Sequence, residues 1–437
     1  MIRGPLSTLA ARLPDRAPLR VTGRVVEATG YVVRAVLADA AIGDVAEIEG
    51  SGGAAIPAQV VGFRGPEAVL LPLEGTHGLR AGAPVSPTGR PLRIRVGPEL
   101  LGRVLDGLGR PLDGAPLPPG LAAWDVDRPA PPALTRAPIG RPLQLGVRVI
   151  DALLTVGEGQ RLGLFAGSGV GKSTLLGQIA RGTAADVVVV GLVGERGREV
   201  RDFLEGALGP EGRARSVVVA ATSDAPALVR RTAAQVATAI AEWFADVAGR
   251  RVLLLLDSVT RFARAHREVA LAAGEPPARH GYPPSVFAEI PRLLERAGAR
   301  DRGAITAVYA VLVAGGDLEE PIADEVRGVL DGHVVLERER AERGLFPAID
   351  VLRSVSRVMP RVTDARHRAL AARTRRLLAA WERQRDLVSM GAYVAGSDPD
   401  TDEALRRMPS IEAFLAQGEE EVSTIDLALA RLAEVLA

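Results

Sequence analysis

Between about residues 145 and 345, short and nearly unbroken apolar runs alternate with stretches of helical period. The runs are Leu162–Ala166, Val187–Val193, Ser216–Ala220, Val252–Leu256 and Ile305–Val313. A strand that is apolar on both sides is buried on both faces, and helices between such strands supply the covering layers. The pattern therefore predicts an α/β core with a parallel sheet. The clearest crossover helix follows Pro226 and runs to about Val247, with Val229, Val236, Ile240 and Phe244 marking one face.

Either side of this core the pattern changes. From about Leu19 to Arg95 the chain breaks into short β-prone pieces, Val21–Val26, Tyr31–Leu37, Val60–Phe63, Ala68–Leu71 and Arg93–Val96, separated by glycine and proline. Strands this short with turns this frequent predict a small barrel or sandwich. Residues 102–114 and the proline-rich stretch to Pro142 read as an irregular, extended connection, because proline cannot pair inside a sheet. After about Arg361 the period is helical: Leu370, Leu377, Trp381 and Val388 form one stripe. Ile425, Leu429, Leu432 and Leu436 form another, behind a candidate N-cap at Ser423. Residues 1–20 carry Leu6, Leu9 and Leu13 among arginines, an amphipathic pattern without the continuous apolar stretch of a signal peptide.

Composition narrows the function. The chain has 437 residues, a formal net charge of +1 and 47% hydrophobic residues, and its apolar runs fall far short of the ~20 residues of a membrane span. It has no cysteine, which excludes disulfides and thiolate metal sites and points to a reducing cytoplasm. Near-neutral charge and 3% aromatic residues argue against a nucleic-acid groove. Asparagine is absent, and Lys172 is the only lysine among 54 basic residues. A lysine retained in so arginine-rich a chain marks a position that arginine cannot fill.

That position is a phosphate-binding loop. The strand 162–166 runs into Gly167, Ser168, Gly169, Val170, Gly171, Lys172, Ser173 and Thr174, with a helix expected from Ser173. Glycines let the backbone N–H groups close around phosphate oxygens, and the helix N-terminus adds its positive end. Lys172 would reach the β- and γ-phosphates and the Ser173 hydroxyl would bind Mg²⁺; arginine is too long and broad for that point charge. The loop opens on Ala166 where glycine is usual. Arg251-Val-Leu-Leu-Leu-Leu-Asp-Ser258 places Asp257 at the end of a buried strand, where it would hold Mg²⁺ through water or Ser173. Val187–Val193 leads into Glu195, Arg196 and Glu199. Glu195 ends a strand that would neighbour the loop strand, the place for a carboxylate that polarises water; the alternative is a surface carboxylate beside a helix. His266, His280 and His333 show no metal-ligand spacing.

These motifs, followed by Gly281-Tyr-Pro-Pro-Ser-Val-Phe287 and Ser354-Val-Ser-Arg357, resemble the rotary ATP synthase catalytic-subunit superfamily, and within it the ATPases of type III protein export, in injectisomes and flagella. Phe165-Ala-Gly-Ser-Gly-Val-Gly-Lys-Ser173, Asp257-Ser-Val-Thr-Arg-Phe-Ala-Arg-Ala265, Gly274-Glu-Pro-Pro277, Pro321-Ile-Ala-Asp-Glu-Val-Arg327 and Gly391-Ala-Tyr-Val-Ala-Gly-Ser-Asp398 carry the likeness over nearly the whole chain. The resemblance implies an N-terminal helical or regulatory segment at 1–18, a β-barrel domain at 19–97, a RecA-like ATPase core at 98–361 and a C-terminal helical domain at 362–437, assembled as a homohexamer using Mg-ATP. By position it makes Glu195 the water-activating glutamate, Arg196 its neighbour near the γ-phosphate, and Arg357 the finger inserted into a neighbouring subunit's site. Phe346, in Gly344-Leu-Phe-Pro347, falls where the family sets an aromatic against adenine. The bland readings are a surface ion pair for Arg357 and a core position for Phe346.

Because one chain carries both a candidate catalytic glutamate and a candidate finger, a self-sufficient homohexamer is the better reading. The resemblance further implies export chaperones and secreted proteins as partners, stalk and stator or regulator proteins, and a peripheral place at the inner-membrane export gate, with no nucleic acid. Gly157-Glu-Gly-Gln-Arg161 and Asp257–Arg264 lean toward the injectisome and Arg357-Val-Met-Pro-Arg361 toward the flagellum; the injectisome is preferred. Ala314-Gly-Gly-Asp317 departs from the family's pattern, so Asp317 receives no role. The rivals are a Rho-type RNA-translocating hexamer, poorly served by a barrel whose aromatics are Tyr31 and Phe63, and a non-catalytic nucleotide-binding scaffold, against which Glu195 speaks.

Overall fold

Alternation of apolar and polar positions closes the N-terminal strands into a barrel. The computed structural model describes residues 22–437, so the segment expected at 1–18 lies outside the described residues. It divides into two compact units, one ending at Leu92 and one beginning at Arg93. In the first, six antiparallel strands, Gly23–Thr29, Val32–Val36, Asp44–Glu49, Ala55–Arg64, Glu67–Pro72 and Pro84–Pro91, close in the order first, second, fifth, fourth, third, sixth. Val33 and Ala35, Ala46 and Ile48, and Ile56, Ala58 and Val60 are buried at a spacing of two and form the barrel core. Register shifts at Val25/Glu27, Asp44/Ala46 and Val60/Gly62 are bulges that add the curvature a six-stranded sheet needs to close. The strand expected at Arg93–Val96 forms, but pairs with Ala122–Asp125 in the second unit and not with the barrel.

The second unit is built on a nine-stranded sheet. From one edge the order is Ile349–Ser356, Gly332–Leu336, Arg161–Ala166, Ala304–Leu312, Arg251–Asp257, Val187–Glu195, Ser216–Thr222 and Val104–Asp106, with Gly298–Ala299 paired beside Ala304–Leu312. Apart from that short strand and the antiparallel edge pair at Gly332–Leu336 and Ile349–Ser356, neighbours run parallel. All five apolar runs singled out in the sequence form strands of this sheet, with Val313 alone falling just past the end of its strand. The segment 102–114, expected to be irregular, contributes Val104–Asp106 to the far edge. Those three residues contain no proline, and an edge position asks for hydrogen bonds on one side only.

The helix Ala227–Asp246 buries Val229, Val236, Ile240 and Phe244, yet it is buried well beyond one stripe, down to Thr238 and Glu242. The C-terminal helices are Ala365–Ser389, Pro399–Leu415 and Ile425–Leu436. Their buried seams are lined by smaller residues than the sequence stripes suggested: Ala371, Thr374, Leu377 and Ala380 on the first, Ala428, Leu432 and Leu436 on the last. Leu370, Trp381 and Leu429 pack half-buried at the rim. Small side chains let helices approach closely, so the larger apolar residues are displaced to the flanks. The N-cap of the last helix is Thr424, whose hydroxyl accepts from Leu427 N, and not Ser423, whose side chain is buried and bonded to the Thr424 carbonyl. One apolar core runs from Leu164 and Leu253 in the sheet through Ile179 and Ile150 to Leu377, Ile411 and Leu432. The C-terminal helices are therefore packed onto the nucleotide-loop side of the sheet. Among the described residues no helix is long and apolar enough to cross a membrane.

Candidate active site

The loop after Arg161–Ala166 leaves the carboxyl end of a central strand and enters the helix Lys172–Gly182, where parallel sheets collect ligands. Gly169 and Gly171 take φ of 76° and 83°, left-handed values that glycine adopts without a Cβ penalty. A Cβ at Gly171 would also stand 3.2 Å from the Phe346 ring. Val170 is buried, whereas Ser168, Ser173 and Thr174 are exposed. The helix begins at Lys172, one residue before the expected Ser173.

Two strands away, Asp257 closes Arg251–Asp257. The Lys172 ammonium contacts its Oδ2, and its Oδ1 is buried with no hydrogen-bond partner. A buried carboxylate oxygen left without a donor is costly. A cation there would satisfy it, so the donor set fits Mg²⁺ held by Asp257 and the Ser173 hydroxyl.

Glu195 ends the strand next to Asp257's. Arg261, one turn beyond Asp257 on the helix Val259–Ala273, donates from Nη2 to Glu195 Oε2 at 3.0 Å, and its Nη1 contacts the Gly194 carbonyl. Burial pushes the Glu195 carboxyl up to about 8, helped by a proton shared with Glu199 and by the Asp257 charge; Lys172 and Arg261 pull the other way. Glu199 is held low by that shared proton. Arg196 points to solvent, 79% exposed and 3.3 Å from Glu199.

Phe346 is not a core residue. It is 43% exposed and, with Gly171, Thr174, Leu175 and Pro347, lines a cavity of about 670 Å³ whose far wall is Ala416–Glu419. That size suits a nucleoside. Arg338 reaches over the loop, with Nη2 3.5 Å from the Ser168 carbonyl.

The structure thus gathers Lys172, Asp257 and Glu195, sets Phe346 beside the loop, and leaves Arg357 apart. Ser356 pairs with Gly332 and Gly163 with His333, so Arg357 lies at the start of the parallel strands while the loop leaves from their ends, on the order of 15 Å along the strand direction. Arg357 is exposed, donates to the Leu330 carbonyl at 3.4 Å, and has no carboxylate at ion-pair distance among the described residues. Of the histidines, His266 pairs with Ser285 and His333 with the Arg353 carbonyl. Sequence reasoning missed Arg261 and Ala416–Glu419. Arg261 could have been found from its position one helical turn after Asp257; the C-terminal wall has no local signal.

The fold and this site define a P-loop nucleotide-binding protein with a parallel sheet. The chain matches the ATP synthase alpha/beta family, its nucleotide-binding domain over residues 146–356 and its beta-barrel domain over 20–89, and the C-terminal domain of the type III secretion ATPase EscN over 363–434. It is 50% identical to the flagellum-specific ATP synthase of Bacillus subtilis, covering 94% of each chain, and 50% identical to the type 3 secretion system ATPase of Xanthomonas euvesicatoria, covering 98% of this chain and 97% of that one. The assembled ATPase EscN from the enteropathogenic E. coli type III secretion system superposes with a TM-score of 0.90 at 45% identity, over 95% of this chain and 100% of that one. EscN in complex with its central stalk EscO gives a TM-score of 0.88 at 46% identity, with the same coverage. The chain belongs to the family of flagellar and type III secretion ATPases within the ATP synthase alpha/beta group.

Proposed function

We propose that this protein is the Mg-ATP-hydrolysing motor of a type III protein export system, working as a homohexamer whose sites lie between subunits. Membership of the family supports ATP hydrolysis with Mg²⁺ and export as its purpose. Relatives from flagellar and injectisome systems match equally at 50%, so export in the general sense is the reading and the injectisome preference is not carried further.

In the proposed mechanism the loop amides of Gly167–Gly171 and the Lys172 ammonium hold the triphosphate, and the base stacks on Phe346 in the adjoining cavity. Mg²⁺ bound by Ser173 and Asp257 supplies charge neutralisation on the phosphates. Ionised Glu195 accepts a proton from the attacking water, held in place by Arg261. Arg196 stands at the mouth of the site. Arg357 of one copy enters the site of the next and stabilises the transferring phosphoryl group, a contribution of ~10³–10⁵ in rate where such fingers are known.

The observation that carries the inter-subunit reading is the placement of Arg357: exposed, free of an ion pair among the described residues, and at the end of the sheet opposite its own Lys172. Residues 98–361 act in this reading as the ATPase core and 362–437 as the helical domain that meets stalk, chaperone and substrate, with regulator and stator contacts at 1–18 and a peripheral place at the export gate. Relatives named as flagellar or type III secretion ATPases, 50% identical over nearly the whole chain, favour the export reading over the Rho-type one. A scaffold without catalysis remains distinguishable by experiment. ATPase activity is measured for wild type, Glu195→Gln and Arg357→Ala at matched hexamer content; both variants are expected to lose at least ~100-fold. Near-normal turnover in either removes that residue's role, and binding without hydrolysis by wild type favours the scaffold. Because Lys172 is the only lysine, amine-directed labelling of its side chain should be suppressed by saturating Mg-ATP, and unaffected labelling would count against the nucleotide site.

A further inference from the structure

At the amino ends of the parallel strands, opposite the phosphate loop, a cavity of about 420 Å³ lies between three segments of the second unit. The proline-rich connection supplies Arg128, Pro129, Pro131 and Pro132, the last turn of the helix Ala227–Asp246 supplies Glu242 and Asp246, and the third segment is the turn 300–302 that leads into Ala304–Leu312. Proline fixes φ, so the apolar wall is stiff. The charged side is short of acceptors. Glu242 is held by Arg296 through two bonds of 2.8 Å, and Arg128 approaches it only to 3.7 Å while stacking 4.0 Å over the Trp124 ring. Asp301 and Arg302 are exposed and cancel in charge.

Arg300 is the group left over. Its side chain is 8% exposed; Nη2 contacts the Arg296 carbonyl and Nε lies 3.2 Å from Asp246 Oδ1 without a hydrogen bond. Nη1 is buried with no hydrogen-bond partner among the described residues. Burial holds the guanidinium below its ordinary value, and the Arg136 and Arg296 charges add to this against Asp246 and Glu242. A buried guanidinium edge without an acceptor is costly, and its planar fork matches the paired oxygens of a carboxylate or phosphate.

We propose that this cavity binds a small organic anion, whose carboxylate or phosphate oxygens give Arg300 the acceptor it lacks and pair with Arg128, and whose apolar body lies against Pro129, Pro131 and Pro132. The volume is that of a small-molecule site. None of its lining belongs to the phosphate loop or to the cavity beside Phe346. Anion and nucleotide therefore occupy opposite ends of the sheet, and neither displaces the other.

Benzoate and phenyl phosphate are the probes, with benzamide as the neutral counterpart of benzoate. Binding to the full chain is followed by ligand-observed NMR titration with Mg²⁺ and a non-hydrolysable ATP analogue at saturation, which keeps the probes off the phosphate loop. At least one anion is expected to bind saturably with a Kd of ~1 mM or tighter, and the tighter of the two identifies the head group. Benzamide should bind ~10-fold or more weakly than the preferred anion, and Arg300→Met should weaken that anion ~10-fold or more. Arg128→Ala alters a side chain that is 36% exposed; it should weaken the same probe ~3-fold or more, and it carries the test if Arg300→Met does not fold. No saturable binding of either anion with the nucleotide analogue present overturns the proposal. So does benzamide binding as tightly as the anions, or unchanged affinity in the folded variants.

Discussion

Replacing Arg261 by methionine tests the electrostatics of the site directly. In its proposed role Glu195 must be ionised to take a proton from water, yet burial, Glu199 and Asp257 hold it up to about 8, and the Arg261 charge at 3.0 Å opposes that rise. With a value near 8, about a quarter of the carboxyl is ionised at pH 7.5. Removing an opposite charge at this distance raises a carboxylate by ~1–3 units. The guanidinium side chain is 28% exposed, which screens the pair and favours the lower half of that range. The ionised fraction at pH 7.5 then falls to roughly 3% for a rise of one unit and about 0.3% for two, so kcat/KM should drop ~10- to 100-fold. The sign is fixed: activity rises with pH through the Glu195 transition, so the acid limb of the kcat/KM profile moves up from near 8. Arg261→Lys keeps the charge and should leave the limb close to its wild-type position even if turnover suffers from altered geometry. An acid limb that stays in place or moves down in Arg261→Met would refute the reasoning, whatever the loss of rate.

Other outcomes follow from the same geometry. Glu195→Gln and Arg357→Ala copies, each inactive alone, should regain ATPase activity when mixed and reassembled, since some interfaces then pair an intact glutamate with an intact finger; a mixture no more active than its components rejects action in trans. Glu242 and Arg296 are both 2% exposed and joined by two bonds of 2.8 Å, so Glu242→Ala should cost about 3–5 kcal/mol in denaturant unfolding, with much of it recovered by replacing both residues with apolar ones. Asp151 is fully buried and its carboxyl is raised to about 7 by burial, against the N–H groups of Leu145 and Gly146. The folded state therefore keeps a proton that the unfolded state releases near 3.8, and stability falls as pH rises from about 4 to about 7, by up to ~4 kcal/mol, then levels off. Asp151→Asn should flatten that slope between pH 5 and 8, and an unchanged slope would assign it to other groups.

Much of the molecule is written locally. Short apolar runs that alternate with stretches of helical period favour buried strands, and Gly169 and Gly171 permit the left-handed φ of 76° and 83° that the loop takes. The core strands and the phosphate loop could thus be read residue by residue, and so could the placement of Asp257 and Glu195 at strand ends. Periodicity also located the C-terminal helices and part of their seams, Leu377, Leu432 and Leu436, but it favours large residues, while close helix packing also selected Ala371, Thr374 and Ala428. Pairing partners are a different kind of information. That Arg93–Val96 joins Ala122–Asp125, that Val104–Asp106 forms the far sheet edge, that Arg261 braces Glu195, and that Ala416–Glu419 walls the cavity beside Phe346 depend on contacts between segments distant in the chain. Such contacts leave no periodic mark, because each end is chosen only by the other once the chain has folded. The sequence by itself marked Lys172 as the place for a phosphate-binding loop; the tertiary structure decided which distant residues surround that loop, and that Arg357 lies too far from its own loop to be one of them.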